Sequence, residues 1–326
     1  MKALLRASFA GPYVTVQDGG RPGRMRFGVP ASGGMDRLAL AAANLALGNP
    51  AGAPVVEISR GGLVLDCLEG ALSLAVAGGG FILESRGEKL GAWRVLSLRA
   101  GERLAIRPGP WGSWCYLAFA GQLRAPVWLG SQATHALSGL GGGVIRSGQE
   151  IAVDDAEIRA ELAGAIPCPV LARPRHRLRV VLGPQDRFFP AAALESFLTA
   201  RYRLTESYDR MGVRLAGPSV TPEGALSIPS EAILRGSVQV AGDGVPTILL
   251  ADHQTTGGYP KIATVVSADL DSLAQLRPRD GVGFEAVSPD RAVALARQRA
   301  AAERAYLAAL ARHTATATAG GKTLPR

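Results

Sequence analysis

Short apolar runs broken by glycine, proline or charge recur along this chain. In the first half they are Val55 to Ile58, Leu63 to Leu65, Leu72 to Ala77, Val95 to Leu98, Leu104 to Ile106 and Cys115 to Phe119. In the second half they are Leu178 to Leu182, Val238 to Val240, Thr247 to Ala251, Ile262 to Ser267 and Val282 to Val287. Each is short for a helix and rich in Val, Ile or Leu, the mark of a strand buried on one or both faces. Residues 2 to 9 and 13 to 17 read as two more strands about a turn at Gly11-Pro12. Many short strands set between turns predict a barrel or a sandwich.

Helical spacing shows in three places. From Asp36, the residues Leu38, Ala42 and Leu45 share one face until Gly48-Asn49-Pro50 supplies a stop. Ala191 to Tyr202 is a second helix. The third, Arg291 to His313, is opened by Ser288-Pro289-Asp290, with Ser as cap and Pro in the first turn. Thr314 to Arg326 reads as a disordered tail, and Gly320-Gly321-Lys322-Thr323 within it lacks the upstream glycine and the preceding strand of a phosphate loop. The three prolines from Pro167 to Pro174 form a linker. The expected fold is therefore mainly β with a few helices, divided into a domain over residues 1–170, a second over 175–288, and a C-terminal helix with a flexible tail over 289–326.

Composition narrows this picture. Of 326 residues, 47% are hydrophobic and 19% charged, which excludes a mainly disordered protein, and the spread of 41 glycines and 21 prolines fits many turns. The formal charge of +9 comes from scattered Lys and Arg with no aromatic-interleaved basic run, so no nucleic-acid partner is expected. Part of the excess, Arg297, Arg299, Arg304, Arg312, Lys322 and Arg326, fits a solvated helix face and tail. Cys67, Cys115 and Cys168 are odd in number and far apart, which points to a reduced, cytoplasmic setting. The opening Met1-Lys2-Ala3-Leu4-Leu5 is broken by Arg6 before it makes a signal peptide, and no apolar segment is long enough to span a bilayer. His135, His176, His253 and His313 lack metal-ligand spacing, so no metal is expected. Neither a Gly-x-Ser-x-Gly elbow nor a dinucleotide glycine pattern occurs.

The densest chemistry lies in His253-Gln254-Thr255-Thr256-Gly257-Gly258-Tyr259-Pro260-Lys261, a polar loop between two apolar runs that read as neighbouring strands. Its glycines would supply unusual backbone angles, and its threonines, Tyr259 and Lys261 exceed what a turn needs. An ordinary hairpin turn is the plainer reading. A second cluster runs from Gln17-Asp18-Gly19-Gly20-Arg21 to Ser32-Gly33-Gly34-Met35-Asp36, where glycines let a small polar ligand approach backbone amides. Here the plainer reading has Asp18 capping a turn, Arg21 pairing with a carboxylate, and Asp36 starting the helix. Around Asp209-Arg210-Met211-Gly212-Val213-Arg214, a structural ion pair in a turn is the commoner explanation, and Asn44, Asn49 and Glu57 have simple roles as turn or helix-end partners.

These segments together resemble the allophanate hydrolase subunit 2 type, also called the biotin-dependent carboxyltransferase-like family. The matching pieces are Thr15 to Arg21, Gly28 to Asp36, Ala43-Asn44 with Gly48-Asn49, Leu182 to Asp186, Asp209 to Gly212 with Arg214-Leu215, and the 253–261 loop through Ala268-Asp269-Leu270. The resemblance implies two cyclophilin-like β-barrel domains and one of three roles. These are the C component of a bacterial ATP-dependent 5-oxoprolinase, the carboxyltransferase part of urea amidolyase using carboxybiotin, or the regulatory partner of a sporulation-kinase inhibitor. With no biotin-carrier or biotin carboxylase region, the chain looks most like the oxoprolinase component. ATP is then expected on a partner, either an allophanate hydrolase subunit 1 type protein or a third oxoprolinase subunit, and biotin enters only under the carboxyltransferase reading. Two positions depart from the family: Trp114-Cys115 stands where Arg-Thr is commoner, and Tyr208 where Ser is usual.

Ureido and lactam groups both present a planar N–H beside a C=O, so one acceptor and one donor would read either. Under the resemblance, Gln17, Asp18 and Asn44 read that edge together with amides near Gly257-Gly258. Ser32, Met35, Asp36, His253, Thr255, Thr256 and Tyr259 line the substrate, while Arg21, Arg210 and Lys261 steady developing negative charge.

Overall fold

The structure, a computed structural model, describes residues 1–223 and 227–320. Among these residues the chain is mainly β with four α-helices, α1 (Arg37–Ala46), α2 (Ala191–Thr199), α3 (Leu270–Ala274) and α4 (Pro289–Gly320). It forms two compact units that are not consecutive in sequence. The first takes Met1–Arg21, Ser32–Arg173 and the chain from Glu303 onward; the second takes Pro22–Ala31 and Pro174–Ala302.

In the first unit the strands divide between a six-stranded and a seven-stranded sheet that share one core. The six-stranded sheet is built on Trp114–Phe119, paired antiparallel with Val55–Ser59 on one side and Ala71–Ala77 on the other. Every residue of that central strand is buried. Its alternate residues Cys115, Leu117 and Phe119 enter the shared core, and α1 packs on the same strand, so the sequence shows an unbroken apolar run rather than an alternation. The seven-stranded sheet shows the alternation instead: Leu63, Leu65 and Cys67 are buried while Val64, Asp66 and Leu68 are half-buried. Burying each such leucine contributes about 1.5–3 kcal/mol.

The second unit is a closed seven-stranded barrel. Its order is Arg177–Leu182, Lys261–Val265, Ser237–Val240, Pro246–Leu249, Gly212–Ala216, Tyr202–Tyr208 and Gly281–Ala286, the last pairing parallel with the first. Phe197 of α2 packs against Tyr202 and Phe284 of the barrel strands, with the rings of Phe197 and Phe284 stacked at 4.3 Å.

Three expectations are corrected here. Pro246–Leu249 and Lys261–Val265 are not neighbours, because Ser237–Val240 lies between them and pairs with both. The 253–261 loop is therefore a crossing over one strand and not a hairpin turn. The helix expected to reach Tyr202 stops at Thr199, since Tyr202 opens a strand and buries its ring in the barrel. The last helix, in turn, continues through Thr314 to Gly320. Thr314 is buried and its hydroxyl donates to the Leu45 carbonyl at 3.0 Å, while Leu310 is buried a turn earlier, so packing extends a helix whose sequence reads as a fraying end. The remaining tail, with Gly321-Lys322-Thr323, lies outside the described residues. Ser288 caps this helix as expected, its hydroxyl accepting from the Arg291 amide at 3.2 Å.

Candidate functional site

In the first unit, Gln17 ends a three-residue strand and is fully buried. Its Nε2 donates to the Thr134 carbonyl and to the Thr15 hydroxyl, both at 3.0 Å, which leaves Oε1 with no partner among the described residues. Ser32, held at a φ of 52°, likewise buries a hydroxyl with no partner among the described residues. Gly33 has a φ of 82°, and a Cβ there would stand 3.1 Å from both the Asp18 carbonyl and the Gly20 nitrogen. Close backbone approach thus joins the two glycine-rich segments that the sequence groups together.

Several neighbours expected at a substrate hold the loop instead. Asp18 accepts from the Gly20 amide at 2.7 Å, the Ser131 hydroxyl at 2.7 Å and the Gln132 amide at 2.6 Å, which occupies both oxygens. Asn44 is fully buried and closes the turn after α1, donating to the Ala53 carbonyl at 2.9 Å and accepting from Asn49 at 3.3 Å. Asp36 caps α1 through the Ala39 amide at 2.9 Å, and its own amide donates to the Tyr116 hydroxyl at 2.6 Å. Met35 is fully buried and its amide donates to Glu57 at 2.8 Å. Glu57, in the middle of an apolar strand, also accepts from the Tyr116 hydroxyl at 2.9 Å. Burial beside that carboxylate pushes the Tyr116 phenol well above its usual range. Arg21 is buried, donates through Nη2 to the Ala133 carbonyl, and lays its guanidinium 4.7 Å over the Trp128 ring.

In the second unit, polar side chains converge from four segments. Lys261 opens its strand with a buried ammonium that pairs with Glu231. The Gln185 Nε2 donates to the same Glu231 oxygen, and the Lys261 amide donates to the Gln185 Oε1 at 3.1 Å. Gln239 lies opposite Lys261 in the ladder, and its buried Nε2 has no partner among the described residues. Glu231-Ala232 forms a two-residue ribbon with Thr256-Gly257. Lys261 and Gln185 together hold the Glu231 carboxyl below its usual range.

The loop itself differs from its sequence reading. Neither Gly257 nor Gly258 has a positive φ. A Cβ at 257 would stand 2.6 Å from the Gln239 Nε2, so the loop passes close over that amide. His253 is buried, its Nδ1 lies 2.6 Å from the Gln254 carbonyl, and burial lowers its pKa below 6.5, so the ring is neutral at neutral pH. Thr255 contributes its carbonyl to the Ile233 amide at 3.2 Å, while Thr256 and Tyr259 are exposed. Arg210, expected at the chemistry, is fully buried and bonded at two points to Asp252. That geometry makes it a support for the loop, not a group facing an open site. Asp209 caps its own turn through the Met211 and Gly212 amides at 2.7 and 3.1 Å, and Arg214 pairs with Asp243 at 2.6 Å.

Sequence reasoning missed Glu231, Gln239 and Asp252, and reached Gln185 only as part of the matching segment Leu182 to Asp186. Gln239 carried a signal, a polar residue inside the apolar strand Ser237–Val240, as did Glu57 inside Val55–Ser59. Glu231 carried none, since an exposed glutamate in an irregular segment reads as solvated.

Residues 27–286 match the family described as "Carboxyltransferase domain, subdomain A and B". The chain is similar to the C component of 5-oxoprolinase from Haemophilus influenzae, 35% identical over 87% of this chain and 91% of that one. It is similar also to the C component of 5-oxoprolinase from Escherichia coli, 34% identical over 89% and 93%. Among solved structures, the Kluyveromyces lactis urea amidolyase superposes with a TM-score of 0.79 at 25% identity, covering 93% of this chain and 20% of that much longer one. No helix among the described residues is long and apolar enough to cross a membrane. On the extent of the first match and the level of the next two, the chain belongs to the carboxyltransferase-domain family that carries subdomains A and B.

Proposed function

We propose that this chain is one subunit of a bacterial, cytoplasmic, ATP-dependent 5-oxoprolinase that opens 5-oxoproline to glutamate together with partner subunits. The observation that carries this reading is the near end-to-end similarity to two proteins named as the C component of 5-oxoprolinase, at 35% and 34% identity over 91% and 93% of their lengths. In the reaction the lactam C–N bond breaks, a water oxygen joins the carbonyl carbon, and the nitrogen takes up a proton. ATP, held by an allophanate hydrolase subunit 1 type partner or a third subunit, would supply activation by giving its terminal phosphoryl group to the lactam oxygen with release of ADP, and the phosphate would leave after water adds.

Within this chain we assign Lys261 to pairing with negative charge on the substrate. Its buried ammonium, paired with a Glu231 oxygen that also accepts from Gln185, supports the assignment. Gln17 and Ser32 each keep a buried polar atom with no partner among the described residues. To Arg210 we assign a positioning role, through its two-point bond to Asp252 at the start of the loop.

The test is co-expression with the partner subunits and measurement of ATP-dependent glutamate release from 5-oxoproline. Activity that Lys261→Ala abolishes supports the enzyme reading, and absence of activity with every partner sinks it in favour of a non-catalytic regulatory module. The family description and the likeness to urea amidolyase favour a second reading, a carboxyltransferase acting on urea or a related amide with carboxybiotin. Co-purification of a biotinylated partner would move that reading ahead.

A further inference from the structure

Lys261 and Gln185 both aim their donors at a single oxygen of Glu231, a carboxylate of the chain itself. One ammonium and one amide converging on one carboxylate oxygen is the donor set of a carboxylate-binding site. Gln185 is not free to turn away, because the Lys261 backbone amide donates to its Oε1 at 3.1 Å and fixes the direction of its Nε2. The carboxylate on the other side is held far less firmly. Glu231 sits on a two-residue ribbon against Thr256-Gly257, and its side chain is 43% exposed against 4% for Lys261. A third donor lies beneath the ribbon: the Gln239 Nε2 is buried with no acceptor among the described residues and lies 2.6 Å from where a Cβ of Gly257 would stand.

From this we propose that Lys261, Gln185 and Gln239 form a subsite for a carboxylate on the substrate, and that Glu231 is a built-in placeholder which the incoming carboxylate displaces. Three donors are present and one acceptor serves two of them. A ligand carboxylate entering at the exposed edge would take over the bonds from Lys261 and Gln185 and would give the Gln239 amide its missing acceptor. The Glu231–Ala232 and Thr256–Gly257 ribbon loosens as Glu231 leaves, since its ladder is two residues long, with one backbone bond on each side of it, Ile233 to Thr255 and Ile228 to Gly258, and the Glu231 bonds hold it from the side-chain end. The inference rests on the oxoprolinase reading only for the lactam. 5-Oxoproline carries a carboxylate, whereas urea carries none, so the subsite also discriminates between the two substrate classes.

The experiment follows amide hydrogen exchange across residues 231–232 and 256–257 and measures affinity by calorimetry, in the full chain both alone and co-purified with its partner subunits. The probes are 5-oxoproline, 2-pyrrolidinone (the same lactam without the carboxylate) and propionate (the carboxylate without the lactam). The expected result is faster ribbon exchange with 5-oxoproline and propionate and none with 2-pyrrolidinone. Glu231→Gln should bind both carboxylates about tenfold more tightly, because the internal competitor loses its charge and the competent fraction rises. Lys261→Met should lose that binding while Lys261→Arg keeps part of it, which guards against a simple folding defect. If propionate acts and 5-oxoproline does not, the subsite stands and the lactam reading falls. The subsite is overturned if 2-pyrrolidinone acts as strongly as 5-oxoproline, if Glu231→Gln weakens binding, or if no probe acts in either preparation; in those cases turnover of 5-oxoproline still judges the lactam reading separately.

Discussion

Arg210 and Asp252 meet as a two-point ion pair, Nε to Oδ2 and Nη2 to Oδ1, both at 2.9 Å, with 1% and 0% of the two side chains exposed. The backbones are joined as well, the Asp252 amide donating to the Arg210 carbonyl at 2.8 Å. Asp252 immediately precedes His253, so this pair anchors the first residue of the loop that ends at Lys261. A buried charge left without its partner is costly, about 3–5 kcal/mol, because desolvation is no longer offset. Arg210→Ala and Asp252→Ala should each lower the unfolding free energy in a urea titration by that amount, and Arg210→Lys should lose much of it because an ammonium cannot make the fork. The double change to Met and Leu should recover most of the stability. An Arg210→Ala protein with an unchanged midpoint and lost turnover would return Arg210 to the chemistry.

Asp36 tests the same distinction at the other cluster. Its carboxylate caps α1, so Asp36→Ala should cost about 1 kcal/mol while Asp36→Asn, which keeps an accepting oxygen, should cost little. Thermal denaturation reads both. Under the structural account Asp36→Asn keeps near wild-type 5-oxoproline turnover, and a large loss of turnover at unchanged melting temperature would restore the residue to the substrate.

The strands that were legible in the sequence are those whose neighbours are apolar on both sides. Trp114–Phe119 and Ala71–Ala77 announce themselves because the shared core and α1 leave almost no polar positions in them. Tyr202–Tyr208 and Glu88–Gly91 do not, because half or more of their residues face outward and carry charge or polar groups. The site followed the same rule. Gly257, Lys261 and Gln17 stood out through local density, and the structure brings the Gln17 segment near Ser32 and Gly33 through Gly20 as that density implied. Glu231 was invisible and Gln185 stood only inside a matching segment with no role, because their meaning lies in a contact with Lys261 across 30 and 76 residues of chain, which no local pattern encodes. Asp18, Asn44 and Met35 show the converse ambiguity: turn-closing residues and ligand-binding residues share a composition, and the bonds these three make to the surrounding chain are not encoded in it.

His253 gives a pH signature. Burial lowers its folded pKa below the ordinary 6.5, so between those two values the unfolded chain binds a proton that the folded chain does not. Stability therefore rises with pH through this window and is lost as pH falls below 6.5. Chemical denaturation from about pH 7.5 down to about pH 5 should show the loss, and His253→Gln should flatten that part of the curve while leaving the acid limb below it. A parallel pair of curves would mean that His253 is not desolvated in solution.

Gly257 and Gly33 separate what a glycine does for the fold from what it does for the site. Gly33 is at a φ of 82° with backbone atoms of Asp18 and Gly20 at 3.1 Å from a Cβ, so nothing flexible can yield. Gly33→Ala should cost at least about 1–2 kcal/mol, from the left-handed conformation alone. Gly257 has an ordinary φ, and the nearest obstacle at 2.6 Å is the amide end of Gln239, which can swing aside; the methyl of Ile233 at 3.2 Å gives a little. Gly257→Ala should therefore leave the unfolding free energy within about 1 kcal/mol of wild type, in the range of an ordinary surface change. It should still raise the KM for 5-oxoproline severalfold, because the displaced Gln239 can no longer offer its Nε2 beneath the ribbon. Steady-state kinetics beside a urea titration decides the matter: an unchanged KM in a stable Gly257→Ala protein would remove Gln239 and the ribbon from substrate contact, and a collapse of stability would show the position to be one of packing.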